Sequence, residues 1–330
     1  MLKKIYNSLM FNVARKRKTD KVNYEPQKLQ LELTNACNLN CIECYRHSSS
    51  FKTGYMSYEN FEKIIEQFPF LKSISLFGTG ESFLHKDLFK MVDFLKRKNV
   101  KIFITTNGTL LNETNIKQII DKHIHLTVSL DAVKEETYRK VSGKTVIPFD
   151  KIFQNISFFR QYNPDYNFTL TFMMMNENFE EAPEFVETAS KLGVKKVTLG
   201  EQQFYENKPE FHIKNKELFK KKLFEAINIG EKNGVKVRHT KRDRTIWGNE
   251  TKIEPCSFLW KQPFITWDGY WVLCCARPFP SQFNFGNILE KSFKELWYGS
   301  HASKIRKGIL ESDLKVIPFC RECQHLAYNK

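Results

Sequence analysis

The sequence predicts an α/β chain built around a parallel sheet, and three observations carry that expectation. Between Leu29 and Gly200, short apolar runs alternate with longer stretches of helical periodicity, the pattern of repeated βα units. Glycine and polar residues gather where those runs end, as in Gly78-Thr79-Gly80-Glu81-Ser82 and Thr105-Thr106-Asn107-Gly108. Further on the pattern changes to an Asp268-Gly269 turn between alternating aromatic and aliphatic residues, with cysteines on its flanks. Six βα units rather than eight predict an incomplete (β/α)6 TIM-like barrel, followed by an extension of a β-hairpin plus helices.

Residues 2–13 place Leu2, Ile5, Tyr6, Leu9, Met10 and Val13 at helical spacing, and Arg15-Lys16-Arg17-Lys18 follows where cations suit the helix dipole. This basic amphipathic helix (1–28) is expected to pack as a lid, with peripheral membrane contact as the alternative. The barrel (29–205) is expected to have strands near 29–34, 72–77, 101–106, 124–130, 168–174 and 195–200. Helices are expected near 57–68, 86–98, 113–121, 149–161 and 180–192, two of them started by Ser57 and by Asn112-Glu113. Residues 206–250 read as a link after the barrel, with a charged helix near 216–233 and a short strand at 235–238. Residues 251–330 hold the hairpin Phe264–Leu273 and an amphipathic stretch through Leu296-Trp297.

Length and a 41% hydrophobic content allow one large core plus a smaller domain. With no signal-peptide pattern and no long apolar segment, the eight cysteines are expected to be cytoplasmic thiols used for metal rather than disulfides. They fall in two sets, Cys37/Cys41/Cys44 and Cys256/Cys274/Cys275/Cys320/Cys323. The net charge of +15 is uneven: residues 1–29 carry eight Lys/Arg against two acids, and residues 208–244 twelve against five. Such patches attract nucleic acid, anionic lipid or an acidic redox partner, or simply solvate the surface. No nucleic-acid readout motif accompanies them, so RNA modification is a minor alternative.

Cys37-Asn38-Leu39-Asn40-Cys41-Ile42-Glu43-Cys44 follows the first strand directly. Three thiolates at this spacing can ligate three irons of one cubane and leave the fourth open to a small molecule. A zinc-knuckle fragment or plain buried thiols are the alternatives. In the extension, Cys256, Cys274, Cys320 and Cys323 make four ligands, which suit zinc and a cubane equally on geometry. Met173-Met174-Met175 reads as adaptable core filler. Glu201, Gln203 and Tyr205, just past strand six, are the candidate substrate contacts.

The CxxxCxxC loop after the first strand resembles that of the radical S-adenosylmethionine (SAM) enzymes. In that family the open iron of a [4Fe–4S] cluster binds SAM, whose reductive cleavage gives a 5′-deoxyadenosyl radical that removes a substrate hydrogen. The resemblance implies SAM contacts at Gly78, Gly80 and Glu81, where GTGES resembles the GGEP stretch. It also implies contacts at Asn107 in the TNG turn and at Ser129 and Asp131 after strand four; Ser142 stands where the family often has an arginine, with Arg139, or Lys140 and Lys144, as its substitutes. Glu43 stands where the family often has an aromatic residue, and Tyr45 follows the third cysteine. The Trp-Asp-Gly hairpin, the paired Cys274-Cys275, the Gly-Asn-Ile turn and the Trp-containing helix are similar to the family's SPASM/twitch extension. That likeness implies an auxiliary [4Fe–4S] cluster on Cys256, Cys274, Cys320 and Cys323, with Cys275 spare or swapping roles with Cys274. The implied activity is a radical SAM oxidoreductase acting on a sugar, cyclitol or peptide carbon, with flavodoxin or ferredoxin as donor. Its alternatives are a peptide maturase forming a crosslink or epimer, an RNA-modifying enzyme, and a non-catalytic iron–sulfur redox protein.

Overall fold

The computed structural model describes residues 2–16, 19–47, 52–143, 148–201, 211–239, 258–275 and 277–311, with 313 and 315. In chain order the first elements are α1 (Leu2–Lys16), β1 (Lys28–Leu31), α2 (Tyr58–Glu66), β2 (Ser73–Leu76), α3 (Leu88–Arg97), β3 (Lys101–Thr106), α4 (Glu113–Asp121) and β4 (His125–Ser129). There follow α5 (Glu135–Val141), α6 (Phe149–Tyr162), β5 (Thr169–Met174), α7 (Ala182–Lys191), β6 (Lys196–Glu201), α8 (Lys216–Lys232) and β7 (Lys236–His239). The last are α9 (Phe258–Lys261), β8 (Phe264–Ile265), β9 (Tyr270–Val272), β10 (Asn284–Asn287), α10 (Phe293–Tyr298) and α11 (Ser300–Glu311). Among the described residues no helix is long and apolar enough to cross a membrane.

The chain forms two compact units. One gathers Met1–Ala36, Ser50–Phe103 and Ile253–Lys330, the other Cys37–Ser49 and Ile104–Lys252, so the division falls within β3.

In the first unit the strand order is β10-β9-β8-β1-β2-β3. β1 and β2 are parallel, with Leu29 opposite Ile74 and Leu31 opposite Leu76, and all four side chains are buried. The helix starts follow local chemistry: Ser57 Oγ accepts from the Asn60 N–H at 3.1 Å, capping the first turn of α2. β8 joins the other side of β1 in parallel, with Gln30 opposite Phe264, and then turns back antiparallel into β9. The extension is therefore stitched to the first βα unit rather than standing alone. Its core is aromatic: Trp271 stacks on Phe285 with centroids 4.0 Å apart and lies 5.5 Å from Trp297. Two indole N–H groups donate to backbone, that of Trp297 to Tyr24 O at 2.7 Å and that of Trp260 to Thr19 O at 2.8 Å. The extension and the segment before β1 thus share one interior.

In the second unit the order is β3-β4-β5-β6-β7, with β4 through β7 parallel. Asn112 Oδ1 caps α4 by accepting from the Asn115 N–H at 2.9 Å. Met174 and Met175 are buried core residues, in line with the filler reading. Two features differ from expectation. Residues 236–239 do not lie past the end of the sheet: β7 pairs with β6, Val197 opposite Val237, and α8 supplies the crossover, making a further βα unit. The seven-residue α5 was also not anticipated, being too short for a periodic signal. Its sequence did carry an acidic first turn, Glu135-Glu136, and Arg139-Lys140 in the last.

Candidate functional site

The cysteine loop belongs to the second unit, and α5 holds it. The N–H of Asn40 donates to Ser142 O at 3.1 Å and that of Ile42 to Val141 O at 3.0 Å, so the last carbonyls of α5 are satisfied by the loop. Gly143 ends this helix with φ +74°, and a Cβ there would sit 2.4 Å from Asn40 O. A second brace comes from the turn after β3. Asn107 Nδ2 donates to Asn38 Oδ1 at 2.9 Å and lies 3.9 Å from Cys37 Sγ, while Asn107 Oδ1 accepts from the N–H and hydroxyl of Thr109 at 3.0 and 2.6 Å. Asn38 Nδ2 closes the ring by donating to Thr109 Oγ1 at 2.8 Å.

Cys37, Cys41 and Cys44 are all half-buried. Burial pushes the Cys41 thiol well up, and the nearby Glu43, Asp131, Cys44 and Cys37 push it the same way. Cys44 is also raised, mainly by burial, with the N–H of Arg46 opposing. Such a set keeps its protons unless cations enter among the sulfurs, which is the electrostatic requirement a cluster's irons meet. Among the described residues no three His, Cys, Asp or Glu side chains form a group that could hold one metal ion. Thiolates that each take a different iron of a cubane need not meet at one point. The donor set therefore fits an open-iron cubane.

The other expected residues of this unit divide. Ser129 ends β4, and Asp131 Oδ1 accepts from the Met173 N–H at 2.7 Å, with desolvation raising the carboxyl and that N–H opposing. Arg139 lies on the surface in an ion pair with Glu135 at 2.6 Å, not in the loop network. Glu201 was expected to contact substrate. It instead shares the face of Val197 and Leu199 by the two-residue period, is buried, and bonds His239 of β7 at 2.8 Å. His239 was not anticipated, because the pairing of β7 was not. Gln203 and Tyr205 lie outside the described residues.

The Gly78–Ser82 stretch belongs to the first unit. The glycines were expected to let a ligand approach, yet the protein itself fills the space beside both. A Cβ on Gly78 would lie 2.3 Å from Glu32 Oε1, and one on Gly80 2.4 Å from Thr34 O. The N–H of Glu81 donates to Ala36 O at 2.8 Å, and its Oε1 accepts from the Phe83 N–H at 3.0 Å. Glu32, which sequence reasoning passed over as part of a strand, is buried at the end of β1. It lines a cavity of about 220 Å³ together with Asn35, Lys52, Thr79, Trp267 and Asp268. Cys274 and Cys275 follow β9, both half-buried, and Cys274 O accepts from the Arg277 N–H at 3.0 Å. Cys256, Cys320 and Cys323 lie outside the described residues.

Comparison with known proteins agrees with this geometry. Residues 31–189 match the radical SAM superfamily model, and residues 256–324 match an iron–sulfur cluster-binding domain, SPASM. The chain is 24% identical over 322 residues to the tungsten-containing aldehyde ferredoxin oxidoreductase cofactor-modifying protein of Pyrococcus furiosus, covering 89% of this chain and 86% of that one. Among solved structures it shares its fold with Streptococcus suis SuiB bound to the precursor peptide SuiA, at TM-score 0.72 and 16% identity over 95% of this chain and 73% of that one. It is likewise similar to anSMEcpe with bound AdoMet, at TM-score 0.70 and 20% identity over 91% of this chain and 88% of the other. The three-cysteine loop and the cysteine-flanked hairpin thus fall within the two matched segments, a radical SAM domain in residues 31–189 and a SPASM domain in residues 256–324.

Proposed function

We propose that this SAM-dependent enzyme is an oxidoreductase that removes a carbon-bound hydrogen from a sugar, cyclitol or peptide substrate and passes the remaining electron to an auxiliary cluster. Its cofactors are SAM, the [4Fe–4S] cluster that binds it, and auxiliary iron–sulfur. When bound, they supply a 5′-deoxyadenosyl radical and an electron acceptor. The observation that carries the reading is the pairing of β8 with β1, Gln30 opposite Phe264 and Leu31 opposite Ile265, because it ties the auxiliary segment to the strand that leads into Cys37.

In this reading Cys37, Cys41 and Cys44 hold the SAM cluster, and Asn107 with Asn38 fixes the backbone around Cys37. The Gly78–Glu81 loop receives the SAM amine, with Ser129 and Asp131 near its carboxylate and ribose. Arg139 would serve only by leaving Glu135. Gln203 and Tyr205 remain the substrate contacts, whereas Glu201 positions His239. Cys256, Cys274, Cys320 and Cys323 hold the auxiliary cluster. Flavodoxin or ferredoxin delivers the electron in a reducing cytoplasm.

Anaerobic reconstitution tests this: about eight irons per chain are expected, two cubanes. Replacing Cys37, Cys41 and Cys44 together with Ala is expected to leave roughly half of that iron and abolish 5′-deoxyadenosine formation under dithionite. A triple variant that still cleaves SAM overturns the assignment.

A further inference from the structure

α1 lies against its unit with the polar side inward. Asn7, only 4% exposed, exchanges two hydrogen bonds with the backbone of Glu25: its Nδ2 donates to the carbonyl at 3.0 Å and its Oδ1 accepts from the N–H at 2.8 Å. The next residue, Ser8, accepts from Gln27 Nε2 at 2.8 Å and from Lys72 Nζ at 2.9 Å. On the other side Leu2, Ile5, Tyr6, Leu9 and Val13 stand 83%, 57%, 54%, 57% and 40% exposed. Their spacing puts them in one stripe along the helix. They are five of the eleven large hydrophobic residues exposed among the described ones.

This inverts the usual arrangement, in which a surface helix buries its apolar stripe and shows water its polar side. Rotating the stripe inward would carry Asn7 out to water and leave the Glu25 backbone groups without their partners, at a cost that apolar burial has to exceed. The stripe is thus held outward by specific bonds. Around it the sequence is cationic: Lys3 and Lys21 are exposed, and the chain carries eight Lys/Arg against two acids over residues 1–29.

We propose that α1 is a membrane-surface element, laying its apolar stripe into the headgroup boundary of an anionic bilayer while the surrounding cations meet lipid phosphates. A second copy of the chain is the weaker occupant, because stripe-to-stripe contact would bring two strongly cationic segments together. A bilayer supplies apolar depth and negative charge at once.

The test is flotation of the full reconstituted chain with vesicles of phosphatidylcholine alone or with about one-third phosphatidylglycerol. Co-flotation is expected with the anionic vesicles only, weakening as salt rises. Ile5→Glu with Leu9→Glu is expected to reduce it at least about tenfold. That variant should keep the helical circular dichroism and dithionite-driven SAM cleavage of the parent. Lys3→Glu with Lys21→Glu should weaken binding to anionic vesicles while leaving the stripe intact. The proposal is overturned if the parent floats with neither vesicle, or if the Ile5/Leu9 variant floats as well as the parent. It is also overturned if sedimentation shows a dimer that the same variant dissolves while vesicle binding is absent, which would assign the stripe to a second copy.

Discussion

Glu32 Oε1 accepts both the backbone N–H and the hydroxyl of Thr79, each at 2.8 Å, while Oε2 lies 3.5 Å from the Trp267 N–H. One buried carboxylate at the end of β1 therefore touches the loop after β2 and the turn of the extension's hairpin. Gly78 is glycine because the Glu32 side chain occupies the place its own would take.

Burial pushes the Glu32 carboxyl up to about 7 from 4.5; the two Thr79 donors and the Trp267 N–H oppose the rise, and the charge of Asp268 adds to it. The folded state then binds the proton more tightly than the unfolded chain does. This group's contribution makes stability fall as pH rises from about 4.5 to about 7, over a span of roughly 3 kcal/mol. Glu32→Gln keeps an acceptor for Thr79 and is expected to flatten that part of the stability–pH curve in thermal unfolding. Glu32→Ala is expected to cost about 1–3 kcal/mol at low pH by leaving the Thr79 donors unpaired. An unchanged pH slope in the Gln variant would refute the role.

Gly143 combines a left-handed φ with contact against the cysteine loop. Gly143→Ala is expected to destabilise by about 1–3 kcal/mol and to raise the rate at which iron leaves the SAM cluster, followed by its visible absorbance. Loss of stability with normal iron retention would show that α5 does not brace the loop.

Cys274 and Cys275 are adjacent after a strand, where successive side chains point to opposite faces, so one of them joins the auxiliary site more readily than the other. Cys275→Ala is expected to keep full iron content, while Cys274→Ala loses the auxiliary cluster. The reverse pattern would exchange their roles.

Turnover needs an external low-potential electron, and acidic carriers approach a cationic surface faster. On α8 Lys221 is exposed, whereas Lys220 and Lys222 are tied to Glu217 at 3.4 Å and Glu225 at 3.1 Å. Charge reversal at all three is expected to slow flavodoxin-driven SAM cleavage and leave dithionite-driven cleavage unchanged. Added salt should act alike, since exposed charges are screened over about 10 Å at 0.1 M. Equal responses with both reductants would remove carrier docking from this surface.

By itself the sequence determined what is local. Apolar alternation placed the strands, Ser57 and Asn112 marked helix starts that are capped as expected, and Asp268-Gly269 set the hairpin. The three-cysteine loop was legible because its ligands lie within eight residues of one another. Tertiary structure decided everything that depends on pairing between distant segments. It seated β8 beside β1, added β7 beside β6, and so drew Glu201 away to His239. It also spent the glycines of Gly78-Thr79-Gly80 on Glu32 and the backbone of Thr34, and turned the apolar stripe of α1 outward through Asn7. The reason is physical: periodicity says which residues share a face, but only the partner packed on that face decides whether it is buried, bonded or left to a ligand.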